Sequence, residues 1–257
     1  MQVIDLPEVD STNSFLALIA PDSPSGIVVL GRAQTAGRGQ RGNSWEAAPG
    51  ENITMSMLLR PAHIAPAGQF VISQAVSVGI VNVLKRYLPN STVSVKWPND
   101  IYVDDRKICG ILIENTLSGG SIDYSIVGMG INVNQREFLS DAPNPVSIYQ
   151  LTDREHDIDV LVREVAEEIL ALFAEVDADH SKQTDGSTHL SLQERYFGML
   201  WRSDGYYPYH DNIRDMNIMA AIESVAPSGH ITLVTMDGER YVYAFKEISS
   251  ILNGGEI

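Results

Sequence analysis

The chain has little cysteine and little positive charge. Its one cysteine, Cys109, excludes an internal disulfide and fits a reducing compartment, so a cytoplasmic location is expected. Lysine and arginine number 18 against 33 aspartates and glutamates, a formal net charge of −15. A reader of duplex DNA needs a basic face to neutralise phosphates, and this balance argues against one. No stretch approaches the roughly 20 uninterrupted apolar residues of a membrane span. The opening MQVIDLPEVDSTNSF has neither the basic start nor the apolar run of a secretory signal. No membrane partner is expected, and neither repeats nor low-complexity tracts occur.

What is present is a globular composition, 44% hydrophobic and 20% charged over 257 residues. That suits one large domain, or one domain with a small appendage. GIVVLG (26–31) reads as a short buried strand. NITMSMLLR (52–60) alternates, with Ile53, Met55, Met57 and Leu59 on one face and Thr54 and Ser56 on the other. QFVISQAVSVGIVNVLKRYLP (69–89) has helical spacing, ended by Pro89. Strands follow at 92–97, in a hairpin of IYV and KICGILIEN about DDR, and at 121–134 with Gly128 and Gly130 inside. An amphipathic helix spans 159–176, a polar loop 178–189 and a further helix 190–201. Residues 216–252 are strand-rich, with turns at 227–229 and 237–238, in the manner of a small barrel. Runs of strands with helices between them predict an α+β fold. The division falls into residues 1–203 and 204–257. The aromatic DGYYPYHD (204–211) is packing at that junction or a partner surface.

Four constellations carry polar chemistry. QTAGRGQRGNSW (34–45) sets Gly37, Gly39 and Gly42 around Arg38 and Arg41 and closes on Trp45. No Gly-Lys-Ser/Thr follows, so it is not a Walker loop. Glycines permit positive φ and bring N–H groups to an anion, and arginines add charge-assisted bonds; a solvated turn is the plainer alternative. KWPNDIYVDDRKICGIL (96–112) presents Asn99 and Asp100 at a turn and returns with Lys107. Alternation places Lys107 with Cys109 and Ile111, opposite Gly110. A lysine opening a buried strand needs an anionic partner such as phosphate, or else snorkels out. DSTN (10–13) caps a helix beginning near Ser14, whose free N–H groups can also seat a polar ligand. In GMGIN (128–132), Asn132 shares parity with both glycines, placed to bond a purine or ribose.

In this order and spacing, DSTN, QTAGRGQRGNSW, KWPND, RKICGIL and GMGIN resemble the motifs of the biotin protein ligases. The resemblance spans residues 10–132, and residues 204–257 are similar to the family's small C-terminal barrel. It implies a mixed-sheet catalytic domain with helices packed on it, of the class II aminoacyl-tRNA-synthetase-like biotin/lipoate ligase fold, followed by an SH3-like β-barrel. It implies that biotin and ATP, with Mg²⁺, give biotinyl-5′-adenylate, which then acylates one lysine of a biotin carboxyl carrier protein domain. No metal-ligating side chains are implied, Mg²⁺ being expected with ATP.

Residue by residue, the resemblance assigns biotin to Ser11, Thr12, Asn13, Gln34, Gly37, Arg38, Gly39, Gln40, Lys107 and Gly110. It assigns ATP and the adenylate to Arg38, Arg41, Trp45, Asn99, Lys107 and Asn132. Lys107, Arg38, Asp100 and Lys96 are the implied catalytic set. Lys107 faces the biotin carboxyl and the α-phosphate, and Asp100 orients or deprotonates the acceptor lysine. One departure stands out. The fourth position of the family's GRGRxG loop is often arginine and here is Gln40, which can donate a hydrogen bond but cannot neutralise a phosphate. Some members begin with a DNA-binding domain; with DSTN opening at residue 10, a monofunctional ligase without DNA binding is expected. A homodimer is possible. A lipoate-type ligase and a biotin sensor without transfer activity are the competing readings.

Overall fold

A computed structural model describes residues 1–40, 43–61, 63–140, 144–181 and 190–252, with side chains of 177–181 set aside. Its first unit opens with β1 (Val3–Leu6), α1 (Thr12–Ile19), β2 (Val28–Gly31) and β3 (Ile53–Leu59). Then come α2 (Phe70–Tyr87), β4 (Val93–Lys96), β5 (Asp100–Val103), β6 (Arg106–Ser118) and β7 (Ser121–Ile131). Helices α3 (Ile148–Thr152), α4 (Ile158–Ser181) and α5 (Leu192–Phe197) follow. The seven strands form one mixed sheet in the order β1-β2-β3-β7-β6-β5-β4. Only β1 and β2 run parallel; every other pairing is antiparallel.

The sheet is covered unequally. Ile53, Met55, Met57 and Leu59 of β3 join one large core with α2 and α4. The opposite face carries a small cluster of Leu16, Ala20, Ile27, Val29, Leu58 and Ile126 beneath α1. The alternation expected for β3 holds, yet all seven of its residues are buried, because α1 and the site close over Thr54 and Ser56. The segment Pro66–Tyr87, which includes α2, is long and apolar enough to cross a membrane by composition, with a mean hydropathy of 1.5. It is a core helix of this fold: 67% of that window is buried inside the protein.

A second, antiparallel sheet follows, built from β8 (Tyr207–Asp211), β9 (Met216–Val225), β10 (Ile231–Thr235), β11 (Arg240–Tyr243) and β12 (Ile248–Ser250). Its order is β11-β10-β9-β8-β12. The expected barrel does not close among the described residues: β11 and β12, four and three residues long, remain its edges. Tyr209, Ile222, Ile231 and Ile248 of this sheet pack in the same core cluster as the first.

Several boundaries differ from the sequence reading. Strand β1 has no alternating apolar pattern and forms because β2 offers it a parallel edge. Strand β8 lies inside DGYYPYHD and contains Pro208, which lacks an N–H but whose carbonyl still accepts from the Ile251 N–H at 3.1 Å, just past the last β12 ladder pair at Tyr209. Helix α4 runs on to Ser181, so residues 178–181 of the expected 178–189 loop are helical; residues 182–189 lie outside the described set. The helix expected at 190–201 is confined to Leu192–Phe197 by a Ser191–Glu194 capping box and Gly198.

One buried carboxylate organises the second sheet. Asp211 is fully buried and accepts from the Ile213 and Arg214 N–H groups, the Arg214 guanidinium and the Tyr243 hydroxyl. Burial alone would raise its pKa, but these donors overcome that and hold it at about 2, against an ordinary 3.8. A depressed carboxyl stabilises the fold above its ordinary pKa and loses that contribution as pH falls through its folded value, here about 2 kcal/mol lost between pH 4 and pH 2. Asp211→Asn should therefore cost about 2 kcal/mol in urea unfolding at pH 7 and much less at pH 2. An equal loss at both pH values would remove the charge from the explanation.

Candidate active site

The face of the first sheet left bare by α1 forms a cavity of about 1010 Å³, reaching across to the second sheet. Ser11, Thr12, Asn13, Gln34, Arg38, Gly39, Gln40 and Trp45 line it, as do Lys96, Asn99, Asp100, Lys107, Gly110 and Asn132. Of the residues singled out in the sequence, Gly37 does not reach the cavity lining, and Arg41 lies outside the described residues.

The α1 end is a buried polar cluster. Ser11 caps the helix, accepting from the Ser14 N–H at 3.5 Å, so α1 begins at Thr12, two residues earlier than expected. Gln34 Oε1 accepts from the Thr12 N–H at 2.8 Å. The Asn13 amide donates to Glu114 Oε2 at 2.8 Å, and its Oδ1 accepts from the Ser56 hydroxyl at 2.5 Å. Ser56 Oγ lies 2.7 Å from Thr12 Oγ1. Ser56 and Glu114 were missed as site residues. Ser56 reads as the polar half of an alternating strand, and Glu114 as the polar end of one. The available signal was a carboxylate seven residues after Lys107, inside an otherwise apolar run.

The Gly-Arg loop folds into a narrow ribbon. Gly39 donates to the Asn43 carbonyl at 2.6 Å and Trp45 to the Gly37 carbonyl at 3.1 Å. Gly37 and Gly39 do not take the positive φ expected of them. They are required by proximity: a Cβ on Gly37 would stand 2.8 Å from the Trp45 carbonyl oxygen. The strand glycines serve side chains in the same way. A Cβ on Gly128 would stand 2.2 Å from Asn13 Oδ1, and one on Gly130 2.3 Å from Trp45 Cε2. Asn13 and Trp45 thus lie flat on the sheet where it has no side chains.

The KWPND end supplies charge. Lys107 Nζ is 2.8 Å from Asp100 Oδ1 and 5.6 Å from the Trp45 ring centroid. The expected parity of Lys107 with Cys109 is wrong. The β5–β6 ladder shifts register so that Tyr102 faces Lys107 and Ile101 faces Cys109. Ile108 is the extra residue of a bulge, and it and Cys109 both enter the core. Lys107 consequently shares the open face with Gly110, whose Cβ would lie 3.5 Å from Lys107 Cε. Asn99 lines the cavity but is also a clamp, its amide donating to the Ile111 carbonyl at 2.7 Å. Lys96 donates to the Tyr102 hydroxyl at 3.1 Å and lies over the Tyr102 and Trp201 rings. Desolvation lowers the Lys96 pKa; Asp100 opposes this, and Lys107 and Arg202 add to it.

Three buried polar atoms of the lining have no hydrogen-bond partner among the described residues: Gln40 Oε1, Trp45 Nε1 and Asn132 Oδ1. The Asn132 amide nitrogen is already committed to the Val146 carbonyl at 3.0 Å. Of the three, Trp45 Nε1 lies against the Gly130 backbone on the sheet. No cluster of three His, Cys, Asp or Glu able to hold a metal ion is found among the described residues.

Residues 6–132 match the sequence model of the Biotin/lipoate A/B protein ligase family. Through this segment the chain is similar to that family. Among its relatives are the Bifunctional ligase/repressor BirA of Escherichia coli (strain K12), 38% identical over 139 residues, covering 54% of this chain and 43% of that protein. The Biotin--[acetyl-CoA-carboxylase] ligase of Paracoccus denitrificans is 34% identical over 129 residues, 50% of this chain and 53% of that one. The matches thus span about half the length of these relatives. The fold is that of the biotin protein ligase from Aquifex aeolicus, solved in complex with biotin and ATP. That match has a TM-score of 0.76 at 23% identity and covers 96% of this chain and 97% of that one.

Trp45 gives the site an internal probe. Gly130→Ala should push the indole off the sheet, shift tryptophan emission to the red and speed proteolysis of the 34–45 loop. An unchanged spectrum and unchanged cleavage would show that the indole does not depend on the bare strand.

Proposed function

We propose that the chain is a biotin protein ligase, forming biotinyl-5′-adenylate from biotin and ATP and passing the biotinyl group to a lysine of a biotin carboxyl carrier protein domain. The observation that carries this reading is the convergence of Arg38, Lys96 and Lys107 on one glycine-floored cavity in a chain of net charge −15. Biotin carboxylate and the ATP α-phosphate are both anionic and repel until cations screen them. In the first step a carboxylate oxygen bonds to the α-phosphorus, and the bond to the β-phosphate oxygen breaks, releasing pyrophosphate. Lys107 stabilises the charge at that centre, with Arg38 and Lys96 screening the remaining oxygens. Mg²⁺ is proposed to arrive with the nucleotide.

In the second step the carrier amine attacks the acyl carbon, the acyl–phosphate bond breaks and AMP leaves. The amine must be neutral to attack, whereas free lysine is largely protonated at pH 7. Asp100, beside Lys107, is the proposed group that orients it and takes its proton. Ser11, Thr12, Asn13 and Gln34 are assigned to the biotin rings, with Gly39 and Gly110 in the lining beside them and Gly37 holding the loop against the Trp45 carbonyl. Trp45 and Asn132 are assigned to the adenine, and Asn99 and Arg41 to the nucleotide side. The unpartnered Gln40 Oε1 supports a loop contact through the amide rather than through charge. The 34–45 loop is the proposed lid, shielding the acyl phosphate from water. We further read residues 1–203 as the catalytic domain, of class II synthetase-like fold, and 204–257 as a small SH3-like barrel left open at its short edge strands.

The test is pyrophosphate release with biotin and MgATP, followed by labelling of an added carrier domain. Lys107→Ala should slow the first step on the order of 10²-fold or more. Biotin binding without release would favour a sensor, and lipoate outcompeting biotin would favour a lipoate-type ligase.

A further inference from the structure

We propose that Glu114 is a positioning residue of the biotin step, one carboxylate that fixes both the biotin-side amide and the arginine of the loop. This rests on the ligase reading. Its Oε2 accepts from the Asn13 amide at 2.8 Å. The same carboxylate takes the Arg38 guanidinium through both oxygens, at 2.7 and 3.3 Å. Neither contact belongs to the sheet, and Glu114 itself is paired within β6 opposite Ile126 of β7.

The Asn13 contact settles an orientation. An asparagine amide can turn either way, and the two ends present opposite hydrogen-bonding character. Here the Nδ2 end faces two pure acceptors, the Glu114 carboxylate and, at 3.4 Å, the Leu112 carbonyl. The Oδ1 end meets the Ser56 hydroxyl, and Ser56 in turn meets Thr12. Polar contacts therefore run from Arg38 through Glu114, Asn13, Ser56 and Thr12 to Gln34. Asn13 is only 4% exposed, so a mis-set amide would leave buried donors and acceptors facing like partners.

The Arg38 contact is of a different kind. The pair is well exposed, 46% and 38% by side chain, so it is weak and salt-screened. Bidentate carboxylate geometry is also how a guanidinium grips a phosphate. Glu114 thus holds Arg38 at the cavity mouth in the grip it would use on a ligand anion, loosely enough for that anion to displace it.

Two substitutions separate the arms. Glu114→Gln keeps a carbonyl oxygen for Asn13 but turns N–H donors on Arg38; Glu114→Ala removes both contacts. Biotin affinity without ATP should fall about tenfold in Glu114→Ala and stay within about threefold of wild type in Glu114→Gln. Tryptic cleavage after Arg38, mapped by mass spectrometry without ligand, should quicken severalfold in both. Unchanged affinity in both variants, or an equal loss in both, overturns the Asn13 arm; unchanged cleavage overturns the Arg38 arm. If wild-type protein neither binds biotin nor releases pyrophosphate, the ligase reading has failed instead, and Glu114 with it.

Discussion

The site depends on one extra residue in the β5–β6 ladder. In a regular hairpin Lys107 would share a face with Cys109, and its ammonium would enter the core, where an unpaired charge is strongly disfavoured. Because the ladder skips Ile108, two consecutive apolar residues fill the core and the lysine turns to the open face. There it meets Asp100, which β5 carries directly opposite Gly110. Fold and site therefore share one short hairpin without competing for it.

Electrostatics then separates this cavity from the rest of the molecule. The chain carries −15 overall, yet Arg38, Lys96, Lys107 and Lys246 all line one space, and the first three have internal companions: Glu114 for Arg38, Asp100 for Lys107, and Tyr102 with Trp201 for Lys96. These companions are not equivalent. The Arg38 pair is exposed and worth about 0.2–1 kcal/mol. Lys107 and Asp100 are more enclosed, so their attraction is screened less. Among the described residues Lys96 has no carboxylate at contact distance, only a hydroxyl and ring faces, and its charge stays poorly solvated. Of these three, Arg38 is loosely held, Lys107 firmly paired and Lys96 under-solvated.

The sequence made the parts legible where local pattern governs. The alternation of β3, the spacing of α2 and the chemistry of the two hairpins all follow from periods of two and 3.6 residues. The pocket residues were legible because motif order brought them together, and fourteen of them line one cavity. What escaped was set by tertiary context. Strand β1 needs the edge of β2, and β8 carries Pro208 just past its last ladder pair with β12. A bulge cannot be read from alternation, so Lys107 was given the wrong face. Ser56 and Glu114 look like ordinary polar strand positions until the fold lays Asn13 between them.

Three unpartnered atoms lie where the loop meets the sheet. A buried donor or acceptor left unpaired costs about 1–3 kcal/mol, more than the exposed Arg38–Glu114 pair returns. Two of the three, Gln40 Oε1 and Trp45 Nε1, sit on the 34–45 ribbon, and the third, Asn132 Oδ1, lies just past the end of β7. The indole is already seated on Gly110 and Gly130. Under the proposed function, closure is then governed by hydrogen-bond satisfaction and indole packing, and the arginine is left available for the reacting oxygens.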